Sequence, residues 1–328
     1  MTEQTRIPVP DETGSLIERA ASAFDLGAFR APVLPPLAAR PQPRTGEPVA
    51  PAVAAEPAAP PQVDRAPFAP PAIAPTPAPR PAFAGPFHPI DRAHLRAQCL
   101  IEPEGSVTGL LEEFRIVKRQ LLLTAAQLHS GRGGKHGERI LICSAHPSEG
   151  KTFCAVNLAL SIAAEKDNEV LLVDADFAKP SVLSTLGLPG SAGLMDALAD
   201  PTIDVQDLIL GTDIPGLFVL PAGNSTGSDT EYLASSRTKG VLDRLTEAAP
   251  SRIVIFDSPP ALAASPASEL AMHVGQAVVI VRADQTDEAA LRDAVGILSG
   301  CADIKLLLNC TKFSPTGRRF GSYYGYKE

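Results

Sequence analysis

One segment constrains the fold of this chain more than any other: the run Ala145-His146-Pro147-Ser148-Glu149-Gly150-Lys151-Thr152. Before it stands the apolar stretch Arg139–Cys143, which reads as a buried strand. After it, Phe153 to Lys166 is rich in Ala, Leu and Ile and reads as a helix. A strand feeding a loop that closes on Gly-Lys-Thr and opens a helix is the setting of a phosphate-binding P-loop. There the backbone N–H groups of Ser148, Glu149, Gly150, Lys151, Thr152 and Phe153, with the positive end of the helix, can surround a polyphosphate. Lys151 neutralises the anion, and the Thr152 hydroxyl ligates Mg²⁺. Ala145 takes the first position, where the pattern has Gly.

The remainder of the chain alternates strands with helices. Strands are expected at Glu169–Asp174, Leu217–Leu220, Arg252–Asp257, Ala277–Val281 and Ile304–Asn309. Helices are expected at Leu110–Leu128, Gly193–Leu198, Glu231–Ala248, Pro266–His273 and Asp287–Leu298. The strands are short, rich in Val, Ile and Leu, and mostly without alternation, as in a parallel sheet buried on both faces. The expected fold is therefore α/β of the P-loop NTPase kind, a mostly parallel central sheet with helices on both faces.

More than half of the 33 prolines fall between Ala31 and Ile90, interleaved with Ala. Such a stretch lacks backbone donors and cannot bury enough apolar surface to fold. The expected organisation is a short N-terminal helix and arm over residues 1–30, opening on a capping box at Ser15 and Glu18. A disordered Pro/Ala-rich linker over 31–90, the folded domain over 91–312 and a flexible tail over 313–328 follow.

Two strands end in acids. Glu169–Asp174 runs into Asp174-Ala-Asp176, and Arg252–Asp257 into Asp257-Ser-Pro-Pro. Ligands of open α/β sheets bind beyond the carboxyl ends of the strands, so all three carboxylates are expected on the edge that carries the P-loop. Mg²⁺ takes one or two carboxylates and keeps several waters, so three are sufficient and one is spare. The last strand ends Leu308-Asn309-Cys310-Thr311 without the Asn-Lys-x-Asp motif of guanine readers, which favours ATP. Three of the four tyrosines, Tyr323, Tyr324 and Tyr326, crowd into the last six residues, among Gly317, Gly321 and Gly325. A glycine-loosened tail of phenols beside an ATP site suggests that the hydroxyls are acceptors.

The net charge is −8, with no basic stripe that would suggest a nucleic-acid partner. Cys99, Cys143, Cys154, Cys301 and Cys310 lack metal or CxxC spacing and read as reduced thiols of a cytosolic protein. No signal peptide is evident at the N-terminus, and no apolar run is long enough for a membrane span.

Together these residues resemble the bacterial tyrosine kinases of exopolysaccharide and capsule assembly. The resemblance covers about Asp91 to Glu328. It rests on the P-loop, on Val173-Asp-Ala-Asp-Phe-Ala-Lys-Pro180, on Ile255-Phe-Asp-Ser-Pro-Pro260, on Leu220-Pro-Ala-Gly223 with Glu231-Tyr-Leu233, on the helix Glu112–Arg119 and on the tyrosine tail. Within that family the chain looks most like the cytoplasmic autokinases of exosortase-linked loci. The resemblance implies Mg²⁺-ATP as cofactor, Lys151 on the β/γ-phosphates, and Thr152, Asp176 and Asp257 about the ion. It implies Asp174 as the base for the phenol, Asn309 against adenine, and Tyr323, Tyr324 and Tyr326 as acceptors for a neighbouring subunit. It also implies a homo-oligomeric ring built on Glu112, Arg115 and Lys118, and a membrane polysaccharide co-polymerase of the chain-length-determinant type that recruits the chain to the inner face of the plasma membrane. Where relatives carry a basic residue two positions after the second Asp, this chain has Ala178, followed by Lys179. Two other readings stand beside this one. A MinD/ParA-type ATPase would carry a signature Lys where this loop has His146, and a nucleotide-sensing adaptor with little catalysis is favoured by Ala178.

Overall fold

A computed structural model describes residues 85–130, 136–247, 249 and 251–311. The expected N-terminal helix, the Pro/Ala-rich linker up to residue 84 and the tyrosine tail lie outside the described residues, as do residues 131–135.

Among the described residues, eight strands form one sheet. In chain order they are β1 (Phe87–His88), β2 (Arg139–Ser144), β3 (Glu169–Asp174), β4 (Leu210–Thr212), β5 (Leu217–Leu220), β6 (Arg252–Asp257), β7 (Gln276–Arg282) and β8 (Asp303–Asn309). The spatial order is β1-β4-β5-β3-β6-β2-β7-β8. All neighbours run parallel except β4 and β5. Every residue of β2 and β6 is buried, which is why their central runs over 140–143 and 253–256 are apolar without alternation. The edge strand β8 alternates instead, leaving Leu306 and Leu308 exposed while Leu307 packs inward.

Nine helices are described: α1 (Arg92–Ala97), α2 (Gly109–Ser130), α3 (Lys151–Ala163), α4 (Val182–Leu186), α5 (Leu194–Ala199), α6 (Asp229–Leu233), α7 (Ser236–Glu247), α8 (Pro266–Ala271) and α9 (Glu288–Ile297). They cover both faces of the sheet. One face packs Leu141, Leu171, Val254 and Phe256 against α5, α7, α8 and α9. The other packs Ile140, Ile142, Leu172 and Ile255 against α1, α2 and α3. The helical spacing over 110–128 places Phe114, Leu121 and Ala125 of α2 in this second core.

Three features differ from expectation. The expected helix over 231–248 is two helices, α6 and α7. The chain breaks between them because the Thr238 hydroxyl donates to the Tyr232 carbonyl at 2.9 Å and Ser235 N–H donates to it at 3.1 Å, a pairing that closes α6 early. The antiparallel β4 precedes β5 through a turn that uses Gly216 at φ +79°. Last, β1 pairs with β4 N-terminal to Asp91, where the folded region was expected to open.

Candidate functional site

Strand β2 ends in the middle of the sheet, between β6 and β7, so the loop 145–150 rises from the centre of the carboxyl edge. Ser148 at φ +64° and Gly150 at φ +94° are both left-handed. Alternating hands over successive residues turns main-chain N–H groups inward, the construction of an anion nest. Glycine suits position 150 because φ +94° is strained for any other residue, and a Cβ there would also displace Asn309 Nδ2 from 2.3 Å away. Gly150 is the N-cap of α3, and no side chain caps that end. The positive end of the helix therefore stays open to a ligand.

Lys151 opens α3 and is only 8% exposed. Among the described residues its ammonium has no hydrogen-bond or ion-pair partner. Its charge reaches Asp176 and Asp257, where it favours the ionised carboxylates.

Asp174 and Asp257 end β3 and β6 and stand in register with each other. Thr152 Oγ1 donates to Asp257 Oδ2 at 2.6 Å and lies 3.0 Å from Ser181 Oγ. With the Thr152 proton committed to the carboxylate, Ser181 is the donor of that second bond. Asp257 Oδ1 is buried and has no partner. Burial first, then the charges of Asp174 and Asp176, push the Asp257 carboxyl up to about 7, against the opposing pull of Thr152 and Lys151. Asp174 accepts from the N–H groups of Ser181 and Val182, both at 2.9 Å, through Oδ2, and from Asp176 N–H at 3.2 Å through Oδ1. Burial outweighs those donors and raises it to about 6. Asp176 is half-buried, accepts from Lys179 N–H at 3.1 Å, and is also raised, chiefly by burial.

An orphaned carboxylate oxygen, a hydroxyl beside it and an unpaired lysine fit a hard cation shared with a polyanion. Among the described residues no group of three or more His, Cys, Asp or Glu could hold a metal ion alone, so a cation at this edge would need ligand oxygens from the anion.

The loop is braced from two neighbouring strands. Asn309, expected against a nucleobase, donates through Nδ2 to the Glu149 carbonyl at 2.9 Å and accepts from Cys310 N–H at 2.8 Å. Arg282 at the end of β7 donates to the Ser148 carbonyl at 2.8 Å. Sequence reasoning missed Ser181, Arg282 and Thr286. Arg282 was within reach of it, since the rule that ligands gather at carboxyl strand ends applies to β7 as well.

Of the helix residues expected at a subunit contact, Glu112 and Arg115 pair with each other on α2. Lys118 is turned inward instead. It is 9% exposed, donates to the Ser161 carbonyl at 2.8 Å and pairs with Glu165 at 2.7 Å, holding the C-terminal end of α3. Lys118→Ala is thus expected to cost the isolated chain about 1–3 kcal/mol in denaturant unfolding, the range for hydrogen bonds to a charged group. A residue acting only between subunits would leave that stability unchanged. Tyr323, Tyr324 and Tyr326 lie outside the described residues.

Among the described residues no helix is long and apolar enough to cross a membrane. Cys143, Cys154 and Cys301 are buried, Cys99 and Cys310 are exposed, and all five are free thiols.

A parallel sheet with this central loop and paired acids at its carboxyl edge defines an α/β protein of the P-loop NTPase class. The chain is 30% identical over 191 residues to the tyrosine-protein kinase YwqD of Bacillus subtilis, covering 58% of this chain and 78% of that one. It therefore belongs to the bacterial tyrosine-kinase family. It is also 30% identical over 159 residues to the tyrosine-protein kinase Ptk of Acinetobacter johnsonii. That match covers 48% of this chain and spans only 21% of the relative's length. The solved chimerical protein CapA2B2 shares the fold, with a TM-score of 0.54 at 23% identity over 68% of this chain and 93% of that one. No family model matches the chain.

Proposed function

We propose that this chain is an ATP-dependent protein-tyrosine autokinase that phosphorylates Tyr323, Tyr324 and Tyr326 of a neighbouring copy. The observation that carries the reading is the junction of Lys151, Thr152 and Asp257 under an open helix N-terminus, in a chain of this family. The main chain over Ser148–Phe153 and the Lys151 ammonium hold the phosphates of ATP. Thr152, Asp257 and Asp176 hold Mg²⁺, directly or through water. Held there, the ion would supply positive charge against the charge that develops on the transferred group. The phenol oxygen attacks the γ-phosphorus, the bond to the β,γ-bridging oxygen breaks, and ADP leaves with that electron pair. A phenol keeps its proton until about pH 10, so the proton must be passed on. Asp174 is the acceptor in this reading, through Oδ1, the oxygen with a single 3.2 Å bond. Since phosphoryl transfer needs mostly positioning and charge neutralisation, this base matters less than the lysine.

Family membership supports a wider reading. The chain regulates exopolysaccharide or capsule polymerisation and export, including in exosortase-linked systems. It assembles as a ring in which Glu112 and Arg115 take part, and it is brought from the cytoplasm to the inner membrane face by a polysaccharide co-polymerase. The folded domain, which opens with β1 at Phe87 and not at residue 91, is the kinase, with the linker and arm before it and the acceptor tail after it.

The test is incubation of the purified chain with Mg²⁺-ATP and peptide mapping of phosphotyrosine. Label on Tyr323, Tyr324 and Tyr326 is expected, and changing all three to Phe removes most of it. ATP hydrolysis without phosphotyrosine would overturn the kinase reading in favour of a MinD/ParA-type ATPase. Ala178 favours the adaptor reading, whose signature is ATP binding with neither activity.

A further inference from the structure

Glu149 is an anomaly in a loop built for anions. Its carboxylate is 4% exposed, and a charge buried there would oppose a phosphate unless it were held away from it. The structure holds it away. Oε2 accepts from His146 N–H at 2.8 Å, within the loop, and Oε1 accepts from the Thr286 hydroxyl. Thr286 Oγ1 accepts in turn from Arg282 N–H at 2.9 Å, and the Arg282 guanidinium reaches back to the Ser148 carbonyl at 2.8 Å. A closed circuit thus ties the turn between β7 and α9 to the two residues that precede Gly150. At its centre Ser148 sits at φ +64°, a conformation that a non-glycine residue keeps only when its surroundings impose it.

We infer that Thr286 and Glu149 form a strap that sets the shape of the P-loop, making Thr286 a positioning residue for nucleotide binding. The strap gathers two conformational demands in one place. It holds the buried acidic side chain on the His146 N–H and the Thr286 hydroxyl, and it fixes the left-handed turn at Ser148 that points the following N–H groups inward. Thr286 touches no phosphate in this scheme and acts through Glu149. The inference rests on the nucleotide-binding part of the proposed function and not on the acceptor tail.

The experiment measures the dissociation constant of Mg²⁺-ATP by calorimetry for the full chain and for Thr286→Val, Thr286→Ser, Glu149→Gln and the Thr286→Val/Glu149→Gln double variant. Valine keeps the shape of threonine and removes the donor. It is expected to weaken binding about tenfold, the scale of one hydrogen bond to a charged acceptor. Serine restores the hydroxyl and is expected to return affinity to within about twofold of the unaltered chain. The double variant is expected to be no weaker than the worse single variant, as two ends of one interaction require. The melting temperature without nucleotide is read alongside, and a merely structural threonine would lower it in parallel with affinity. Unchanged affinity in Thr286→Val, or additive losses in the double variant, would overturn the strap while leaving the kinase reading intact. Failure of the unaltered chain to bind ATP would overturn the nucleotide reading and the strap with it.

Discussion

Replacing Lys151 with Met is expected to abolish phosphotyrosine formation, a fall of about a thousandfold or more. The side chain is almost fully buried, carries a charge and has no described partner, so its ammonium is poised for a ligand and not for the fold. Methionine has a similar length and fills the same space without the charge. The nucleotide-free variant is therefore expected to melt no lower than the unaltered chain, since a buried unpaired ammonium is costly. Radiolabel transfer from ATP and phosphotyrosine immunoblotting measure the loss. Mixing supplies a sharper form of the experiment. If acceptor and active site belong to different copies, the Lys151→Met chain labels only when unaltered chain is added. Robust tail phosphorylation by the variant alone would sink the mechanism.

The second large effect is expected from Asp257→Asn, and it runs in two directions. Activity falls by about a hundredfold or more, because the orphaned Oδ1 beside Thr152 loses its charge where a cation must be held. Above neutral pH, and without nucleotide, the variant is expected to be more stable than the unaltered chain. The Asp257 carboxyl is pushed up to about 7 in the folded chain, from 3.8 when unfolded. Between those values the folded state keeps a proton that the unfolded state has already released. Stability is therefore full below about pH 4 and falls as pH rises through about 7. The loss is on the order of 4 kcal/mol, from about three pKa units at 1.36 kcal/mol each. Asparagine cannot ionise, so the variant escapes it. Denaturant titrations near pH 8 and near pH 4 are expected to show the variant ahead in the first and level in the second, with Mg²⁺-ATP closing the gap. A variant that is less stable near pH 8 would show that the carboxylate is not strained by its surroundings.

What sequence could show is explained by what its signals encode. The P-loop, the three aspartates and five later strands were legible because a buried parallel strand is written as an uninterrupted apolar run, and because ligand residues cluster at strand ends. The short antiparallel β4 was not legible, since three residues carry no period. Nor was the break between α6 and α7, which depends on one hydroxyl reaching back six residues to the Tyr232 carbonyl. Lys118 is a similar case. The family resemblance implies a subunit contact for it, and helical spacing could not show the intrachain partner found here, the Ser161 carbonyl, which lies 43 residues away in sequence. Ser181 and Thr286 were equally silent, because a hydroxyl joins a site only when the fold delivers a second group to it.

The burial of α3 has a mechanical consequence. Every residue of this helix except Thr152 and Phe153 is buried, with the sheet on one side and α2 on the other. Asn157 near its middle is stitched to the Ile101 N–H at 2.8 Å. A rod clamped along its length cannot slide like a piston when its tip gains or loses a ligand. Any movement that reports occupancy of the loop must therefore travel sideways along the rim of the sheet, through turns such as the one between β7 and α9. A second molecule that reads the state of this protein is expected to contact that rim.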